Sequence, residues 1–161
     1  MIRQSTHRLA LPAALVLFAV WGGVVGEAGD CERKAPPEAE KTFDAASGAF
    51  RRADVSGLIG TMPAAADAQL TLALGGSRGS ACSKEQATQI LNDYFAKRSI
   101  VSVVAAEGCT TGNDNALSRS YRLRTRAGQA ERDSTLTVQI VRKAVDARTW
   151  VWVLAGLRET L

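Results

Sequence analysis

Two tyrosines and a few carboxylates are the residues of this 161-residue chain best suited to acid–base chemistry. Beside carboxyl groups in an apolar pocket, a tyrosine hydroxyl can polarise a carbonyl group and help to move a proton. Tyr94 and Tyr121 are the only tyrosines. Tyr94 falls on an apolar helical stripe and Tyr121 on a strand face shared with Leu123. These patterns favour core packing over hydroxyl groups that point into a pocket.

The carboxylates are poorly placed for catalysis. Asp93 lies beside the helical stripe, where a solvated side chain is expected, and Asp67 and Glu107 lie at element ends, which favours capping or surface roles. No carboxylate falls at the centre of an apolar strand face. An acid–base enzyme is therefore the second hypothesis for this chain, after a binding domain.

Histidine chemistry is confined to the first residues. His7 is the only histidine, and it precedes the expected mature domain. Without an imidazole, that domain has no base for a Ser–His or Cys–His mechanism and no histidine ligand for a metal. We therefore predict no metal site and no cofactor.

Three cysteines, Cys31, Cys82 and Cys109, allow three different single bridges. A helix over residues 83–97 spans roughly 21 Å, and a strand running back over residues 100–107 spans roughly 26 Å. If this helix and this strand fold back on each other, their similar lengths bring Cys82 beside Cys109. We therefore predict a bridge between these two cysteines. Cys31 is then a free thiol or a link to another chain.

Arginine and tryptophan side chains indicate two surfaces for interaction. Arg122, Arg124 and Arg126 share one strand face, which is either a solvated face or a binding surface for an anion. Trp150 and Trp152 share a face of the last strand and either line an apolar pocket or fill it. The opposite side of that strand is also apolar, through Val151, Val153, Ala155 and Leu157. This second apolar face predicts a homodimer, the alternatives being cover by the curved sheet itself or by a loop.

The first 26 residues have the layout of a secretory signal peptide. Arg3, His7 and Arg8 precede 17 uncharged, mostly apolar residues from Leu9 to Val25. We therefore predict residues 1–26 as signal, residues 27–36 as a mobile lead-in and residues 37–161 as one exported domain. An uncleaved signal is the predicted route of membrane contact. Removing Arg3 and Arg8 lowers the net charge from +4 to +2, which is no indication of nucleic-acid binding.

Helical signals dominate the first half of the domain. Pro37 can begin a helix whose apolar face includes Phe43, Ala46, Ala49 and Phe50. Asp54 is a candidate cap for a short helix that ends before Pro63. Ser83 and Gln86 form a capping-box pattern for a third helix. Its apolar stripe consists of Ala87, Ile90, Leu91, Tyr94 and Phe95.

Strand signals precede and follow the third helix. Gln69 to Leu74 alternates as a short strand, and residues 75–80 are expected to form a flexible loop. After the helix, strands are predicted over residues 100–106, 116–126, 132–143 and 148–159, with turns between them. Their order is typical of consecutive antiparallel neighbours. The predicted fold class is therefore α+β, with N-terminal helices on a strongly curved, mainly antiparallel sheet.

This element order resembles the nuclear-transport-factor-2-like superfamily, which is also called cystatin-like and has a cone-shaped α+β fold. The resemblance covers residues 37–159 and is nearest to an uncharacterised exported bacterial branch. It rests on the helix opening at residues 82–87, its end at residues 91–97, Tyr121 before a strand, and the tryptophan strand of residues 150–159.

The resemblance implies a cone-shaped pocket and frequent dimerisation across the open sheet face. Enzymes of the superfamily place Asp–His or Tyr–Asp sets in the cone, while many other members are not enzymes. We predict an exported binding domain that uses Tyr94, Tyr121, Trp150 and Trp152 around a small apolar ligand, or that binds an envelope protein. The alternative is a pocket enzyme of isomerase or dehydratase type.

Overall fold

The computed structural model describes residues 34–64 and 68–161 of the chain. The predicted signal, most of the lead-in, Cys31 and Asp67 lie outside the described residues. For residues 107–109 only the backbone is described, so the expected surface role of Glu107 also lies outside. No helix within the described ranges is both long and apolar enough to cross a lipid bilayer.

Three helices form where the sequence carries their start signals. They are α1 (Pro37–Arg51), α2 (Val55–Gly60) and α3 (Lys84–Lys97). A proline occupies the first position of α1, where its missing N–H leaves no helical hydrogen bond unmade. Asp54 accepts a hydrogen bond from the Gly57 N–H at 2.8 Å and caps α2. At α3, Ser83 and Gln86 form the predicted reciprocal capping box.

Six strands form one curved, mainly antiparallel sheet, as predicted. They are β1 (Leu70–Ala73), β2 (Ser80–Cys82), β3 (Ser99–Asn113), β4 (Ala116–Ala127), β5 (Ala130–Ala144) and β6 (Trp150–Thr160). The order across the sheet is β2-β1-β6-β5-β4-β3. Only the pairing of β1 with β6 is parallel among the described strands. Register shifts in β3 and at the β5–β6 pairing bend the sheet.

The register shift beside Gln139 changes which residues of β6 face the core. Leu154 pairs with Ile140, but Gly156 pairs with Gln139, so Ala155 is the extra residue of a β-bulge. The bulge moves Leu157 to the buried face, opposite Val138. The prediction that Leu157 shares the outer side with Val151 and Val153 is therefore wrong, because strict alternation does not continue through a bulge.

The core fills the space between the helices and the concave side of the sheet. Phe43, Phe50 and Leu91 are fully buried from the helices, while Leu123, Leu136, Ile140, Leu154 and Leu157 are buried from the strands. Phe50 contacts the rings of Tyr94 and Phe95, with centroids 5.9 and 5.2 Å away. The predicted apolar face of α1 is thus confirmed. On α3, Ile90 belongs to the predicted stripe but is 37% exposed.

The second strand corrects two predictions. Ser80–Cys82 is a short edge strand rather than the end of a flexible loop, because it pairs antiparallel with β1. Cys82 has a free, buried thiol whose sulphur donates a hydrogen bond to the Leu70 carbonyl at 3.0 Å. The predicted Cys82–Cys109 bridge is therefore absent. β3, which contains residue 109, is the opposite edge of the sheet, with four strands between it and β2.

Candidate functional site

Tyr94 and Glu159 form a buried polar cluster near the C-terminal end of α3. The Tyr94 hydroxyl donates to Glu159 Oε2 at 3.2 Å, and the Gly75 N–H donates to the same oxygen at 2.7 Å. Ser134 Oγ donates to Oε1 at 2.9 Å. Burial, reinforced by the Glu159 carboxylate, raises the pKa of Tyr94 well above its ordinary value. The three donors satisfy the carboxylate and connect α3, the loop after β1, β5 and β6. A carboxylate held in this way is poorly placed to act as a base on a substrate.

A second polar cluster joins α1 to the sheet. Arg119 donates to both oxygens of Glu40, at 2.7 and 2.6 Å, and also to Thr110 Oγ1. Its guanidinium lies over the Phe43 ring, 4.5 Å from the centroid. The Arg119 hydrogen bonds hold the pKa of Glu40 below its ordinary value. This planar, two-point contact fixes the position of α1 on the sheet.

Tyr121 lies close to this second cluster in a different state. Its side chain is 4% exposed. Within the described ranges its hydroxyl is the only buried side-chain oxygen or nitrogen without a hydrogen bond of normal geometry, although Ser47 and Arg119 are near enough to interact with it. Burial raises the pKa of Tyr121. Tyr94 and Tyr121 therefore both lie in the core, and neither is paired with a carboxylate in an open pocket.

Trp150 and Trp152 line an open cleft of about 690 Å³, which we call the tryptophan cleft, where the start of α1 meets the β3–β4 and β5–β6 hairpins. One wall comes from the β5–β6 hairpin and consists of Arg142, Arg148, Thr149, Trp150 and Trp152. The Trp150 side chain is 50% exposed, and the Arg142 guanidinium lies 5.1 Å from its ring centroid. Trp152 is partly buried and packs against the core.

The remaining part of the cleft lining comes from the start of α1 and from the β3–β4 hairpin, which adjoins β5 where the Arg142 N–H donates to the Asn115 carbonyl at 2.8 Å. The residues of this part are Lys34, Ala35, Pro36, Glu38, Asn113, Asp114 and Leu117. Asn113 Oδ1 accepts hydrogen bonds from the Asn115 and Ala116 N–H groups and shapes this hairpin. The cleft is therefore lined by charged and aromatic groups and differs from the purely apolar pocket that we predicted. Of the four predicted pocket residues, the structure brings only the two tryptophans together here.

The predicted basic face lies on the outer side of β4. Arg124 forms an ion pair with Asp133 at 2.6 Å, and Arg126 forms one with Glu131. Both pairs connect directly opposed residues of β4 and β5. Arg122 is exposed opposite Thr135. Cross-strand pairing thus neutralises two of the three charges, which favours the solvated face over an anion-binding surface.

The apolar outer side of β6 borders a second concave surface, which we call the outer groove. Val141, Val151, Val153 and Ala155 line it together with Pro63, Ala64 and Ala68 from the α2–β1 connection. Its volume is about 710 Å³. Val151 and Val145, which also lines it, are 40% and 64% exposed. The connection covers part of this face and leaves the hairpin end open.

Four side chains of these clusters and of the cleft were missed from the sequence. Glu40 and Arg119 are 79 positions apart, and no local pattern relates them. Glu159 lies near the chain end and reaches the core face only through the bulge at Ala155. Arg142 was missed because its position opposite Trp152 depends on the register of β5 and β6. Among residues 34–64 and 68–161, no group of three or more His, Cys, Asp or Glu residues could hold a metal ion.

Several solved structures share the described architecture. A DUF4783 family protein from Bacteroides uniformis matches with a TM-score of 0.54 and 11% identity, over 73% of this chain and 94% of its own. A ketosteroid isomerase-like protein from Erwinia carotovora atroseptica matches with a TM-score of 0.52 and 15% identity, over 75% and 91%.

A third similar structure comes from Thiobacillus denitrificans and is proposed to be a calcium/calmodulin-dependent protein kinase type II association domain. It matches with a TM-score of 0.57 and 14% identity, over 80% of this chain and 99% of its own. No protein-family model and no curated protein sequence matches the chain. At these identities the matches establish a shared fold and leave the function to be argued from the site.

Proposed function

The chain has the nuclear-transport-factor-2-like fold, and from this premise we propose that it is a non-catalytic binding domain that holds a small molecule in the tryptophan cleft. The observation that carries the proposal is the pair Trp150 and Trp152 in an open cleft of about 690 Å³. This volume suits a small ligand. A half-exposed tryptophan beside an arginine is also typical of residues that dominate binding energies.

The filled interior of the cone supports binding over catalysis. Phe50 and Leu91 are fully buried and Tyr94 is nearly so, so aromatic and aliphatic side chains occupy the space between α1, α3 and the sheet. The Tyr94 hydroxyl and the Glu159 carboxylate meet inside this packed region. An isomerase or dehydratase needs such groups beside bound substrate, and the tryptophan cleft does not contain either group.

A neutral fluorescent probe tests the proposed function. We expect N-phenyl-1-naphthylamine to bind with a rise in its fluorescence, because the indole rings offer it an apolar surface. Trp150→Ala removes about 1.5 to 3 kcal/mol of apolar contact, which weakens binding at least tenfold. Val104→Ala, on the outer face of β3, is the control and leaves the affinity unchanged. Equal affinities of wild type and Trp150→Ala would refute the proposed site.

A second candidate function is self-association through the outer groove. We propose that its occupant is a second copy of the chain, because Val145 and Val151 remain exposed at the hairpin end. The Thiobacillus denitrificans neighbour, named for an association domain, is consistent with such a role for this fold. The parallel with that neighbour rests on the fold alone.

Light scattering tests the proposed dimer. At tens of micromolar protein we expect twice the monomer mass. Val151→Glu lowers the mass to that of a monomer, because a buried, unpaired carboxylate is strongly unfavourable in an apolar interface. Ile90→Glu, at an exposed apolar position of α3, is the matched control and keeps the dimer. A monomer mass for the wild-type chain would rule out the self-association proposal without affecting ligand binding.

We further propose that the domain works after export. The positive start and the uncharged run from Leu9 to Val25 support this proposal. Fractionation of expressing cells, followed by N-terminal sequencing, should find the mature chain outside the cytoplasm and beginning near residue 27. An intact N-terminus in the cytoplasmic fraction would contradict it.

A further inference from the structure

We infer that the tryptophan cleft selects organic anions, namely ligands with a flat apolar body and one carboxylate-type group. This inference rests on the proposed function and specifies its ligand class. The body contacts the indole rings of Trp150 and Trp152, and the anionic group contacts the arginines on the same wall.

The first argument is the composition of the β5–β6 wall. It presents Arg142 and Arg148 beside the two tryptophans, and no carboxylate of the hairpin lines the cleft: Asp146, in the turn, accepts hydrogen bonds from backbone N–H groups. Neither arginine forms an ion pair with another residue of the described ranges. An arginine has five N–H donors in a planar fork that matches a carboxylate. These donors face the cleft without a protein carboxylate to satisfy them.

The second argument is that the chain positions these groups before any ligand arrives. Arg142 lies opposite Trp152 in the β5–β6 register and stacks over the Trp150 ring. Arg148 lies in the hairpin turn, where Asp146 Oδ1 accepts hydrogen bonds from the N–H groups of Arg148 and Thr149, both at 2.8 Å. These backbone hydrogen bonds lower the pKa of Asp146. A turn fixed in this way reduces the entropy lost on binding.

The third argument is the distribution of charge across the cleft. Of its two acidic residues, Glu38 lies on α1 close to Lys34 in the chain, and Asp114 lies in the β3–β4 hairpin next to Asn115, whose carbonyl accepts a hydrogen bond from the Arg142 N–H. The side chains that line the cleft carry three positive charges, on Lys34, Arg142 and Arg148, against two negative ones, so on balance the cleft attracts an anionic group. A cation would meet two arginines beside the tryptophans, so the same arrangement selects against cationic ligands.

A pair of probes that differ in charge tests the inference. We would titrate 1-naphthaleneacetate and 1-naphthaleneacetamide into isotopically labelled protein and follow the indole and backbone N–H signals by NMR. The acetate should bind at least tenfold more tightly than the amide and shift the indole signals of both cleft tryptophans. Raising the salt concentration from 50 to 500 mM should weaken binding of the acetate alone.

Substitutions on the two faces of the sheet separate the possible outcomes. Arg148→Gln should reduce the affinity for the acetate about tenfold and leave that for the amide unchanged. Arg142→Gln should also weaken the acetate, while Arg122→Gln on the outer face should have no effect. Equal affinities for the two probes would overturn the anion selectivity and leave the binding function intact. Absence of binding by both probes, or signal shifts confined to another surface, would overturn both.

Discussion

At the scale of single residues, the two tyrosines show how one residue type can stabilise or destabilise the same core. The Tyr94 hydroxyl donates to Glu159 at 3.2 Å, whereas the equally buried hydroxyl of Tyr121 has no hydrogen bond of normal geometry among the described residues. A satisfied buried hydroxyl stabilises a protein modestly, while an unsatisfied one carries a desolvation cost. The two hydroxyls should therefore have opposite effects on stability.

Matched phenylalanine substitutions test this difference. We expect Tyr94→Phe to lower the free energy of unfolding by about 1 kcal/mol, because Glu159 loses one of its donors. Tyr121→Phe should leave that free energy unchanged or raise it by up to about 1 kcal/mol. Urea denaturation of both variants measures the difference. A larger loss for Tyr121→Phe than for Tyr94→Phe would show that the Tyr121 hydroxyl has a partner in solution.

The Glu40–Arg119 ion pair predicts a pH dependence of stability. The hydrogen bonds from Arg119 hold the folded-state pKa of Glu40 below its ordinary value of 4.5. A carboxyl with a lowered folded-state pKa stabilises the fold above its unfolded-state pKa, and this stabilisation is lost as the pH falls through the folded-state value. The contribution of Glu40 should therefore be complete at neutral pH, decline once the pH falls below about 4.5, and be absent below the folded-state pKa.

Denaturation at several pH values checks this expectation. Glu40→Gln should lower the free energy of unfolding by about 1 kcal/mol at pH 7, given its partial exposure, and by less under acidic conditions. Arg119→Gln should likewise make the free energy of unfolding less dependent on pH under acidic conditions. In the double variant the two effects should not be additive. An unchanged acid slope in Glu40→Gln would mean that the pair contributes nothing in solution.

At the scale of elements, α3 is stabilised by side-chain contacts at both of its ends. The capping box of Ser83 and Gln86 satisfies the first N–H groups of the helix. At the other end, Tyr94 binds Glu159 and the Arg98 guanidinium lies 4.9 Å from the Tyr94 ring centroid. The helix thus connects edge strand β2 to edge strand β3, and its start depends on local sequence alone.

Removal of the cap measures the local contribution. Ser83→Ala should lower the free energy of unfolding by about 1 kcal/mol, because the Gln86 N–H loses its acceptor. Ser80→Ala, an exposed position on β2, is the matched control and should change stability by less than about 0.5 kcal/mol. Thermal and urea denaturation give both values. Equal effects of the two substitutions would mean that the capping hydrogen bond is replaced by water.

The bulge in β6 is the element that most affects the site. Before Ala155, the strand directs Trp152 and Leu154 to the helix-facing side, and after it Leu157 and Glu159 take that side. Without the extra residue, Glu159 would face outward and could not accept from Tyr94. The Leu154 N–H, which lies next to the bulge, donates instead to the Thr61 carbonyl at 2.8 Å. This hydrogen bond links the end of α2 to the last strand.

At the scale of the whole molecule, the packed interior and the tryptophan cleft have separate tasks if the proposed function is correct. The interior is packed by residues such as Phe50 and holds the fold together. The tryptophan cleft carries Trp150, which contributes little to the core because half of its surface is exposed. Stability and ligand binding should therefore respond to different substitutions.

Two truncations separate these tasks. Phe50→Ala should lower the free energy of unfolding by about 3 to 5 kcal/mol, because it leaves a cavity between α1 and α3. Trp150→Ala should lower it by less than about 1 kcal/mol and still weaken binding of N-phenyl-1-naphthylamine. Calorimetry and the fluorescence titration provide the two measurements. A loss of stability in Trp150→Ala as large as that in Phe50→Ala would mean that the tryptophan cleft belongs to the core.

Local sequence patterns predicted the elements well, because the forces that set them act within a few residues. The caps at Asp54 and Ser83, the buried face of α1 and the alternation around Leu123 are all interactions between near neighbours in the chain. The same reasoning failed for Ser80–Cys82, whose three residues carry no periodic signal. It also failed at Leu157, where a bulge that forms only in the paired sheet interrupts the alternation.

The sequence by itself determined the helices, most of the strands, the α+β class and the confinement of the only histidine to the first residues. Tertiary structure alone decided that Cys82 donates a hydrogen bond to the Leu70 carbonyl, that Arg119 binds Glu40, and that Lys34 and Trp152 line the same cleft. The physical reason is that helices and strands follow from local periodicity, whereas contacts between distant residues depend on strand order, register and bulges. These features are set only when the whole core packs.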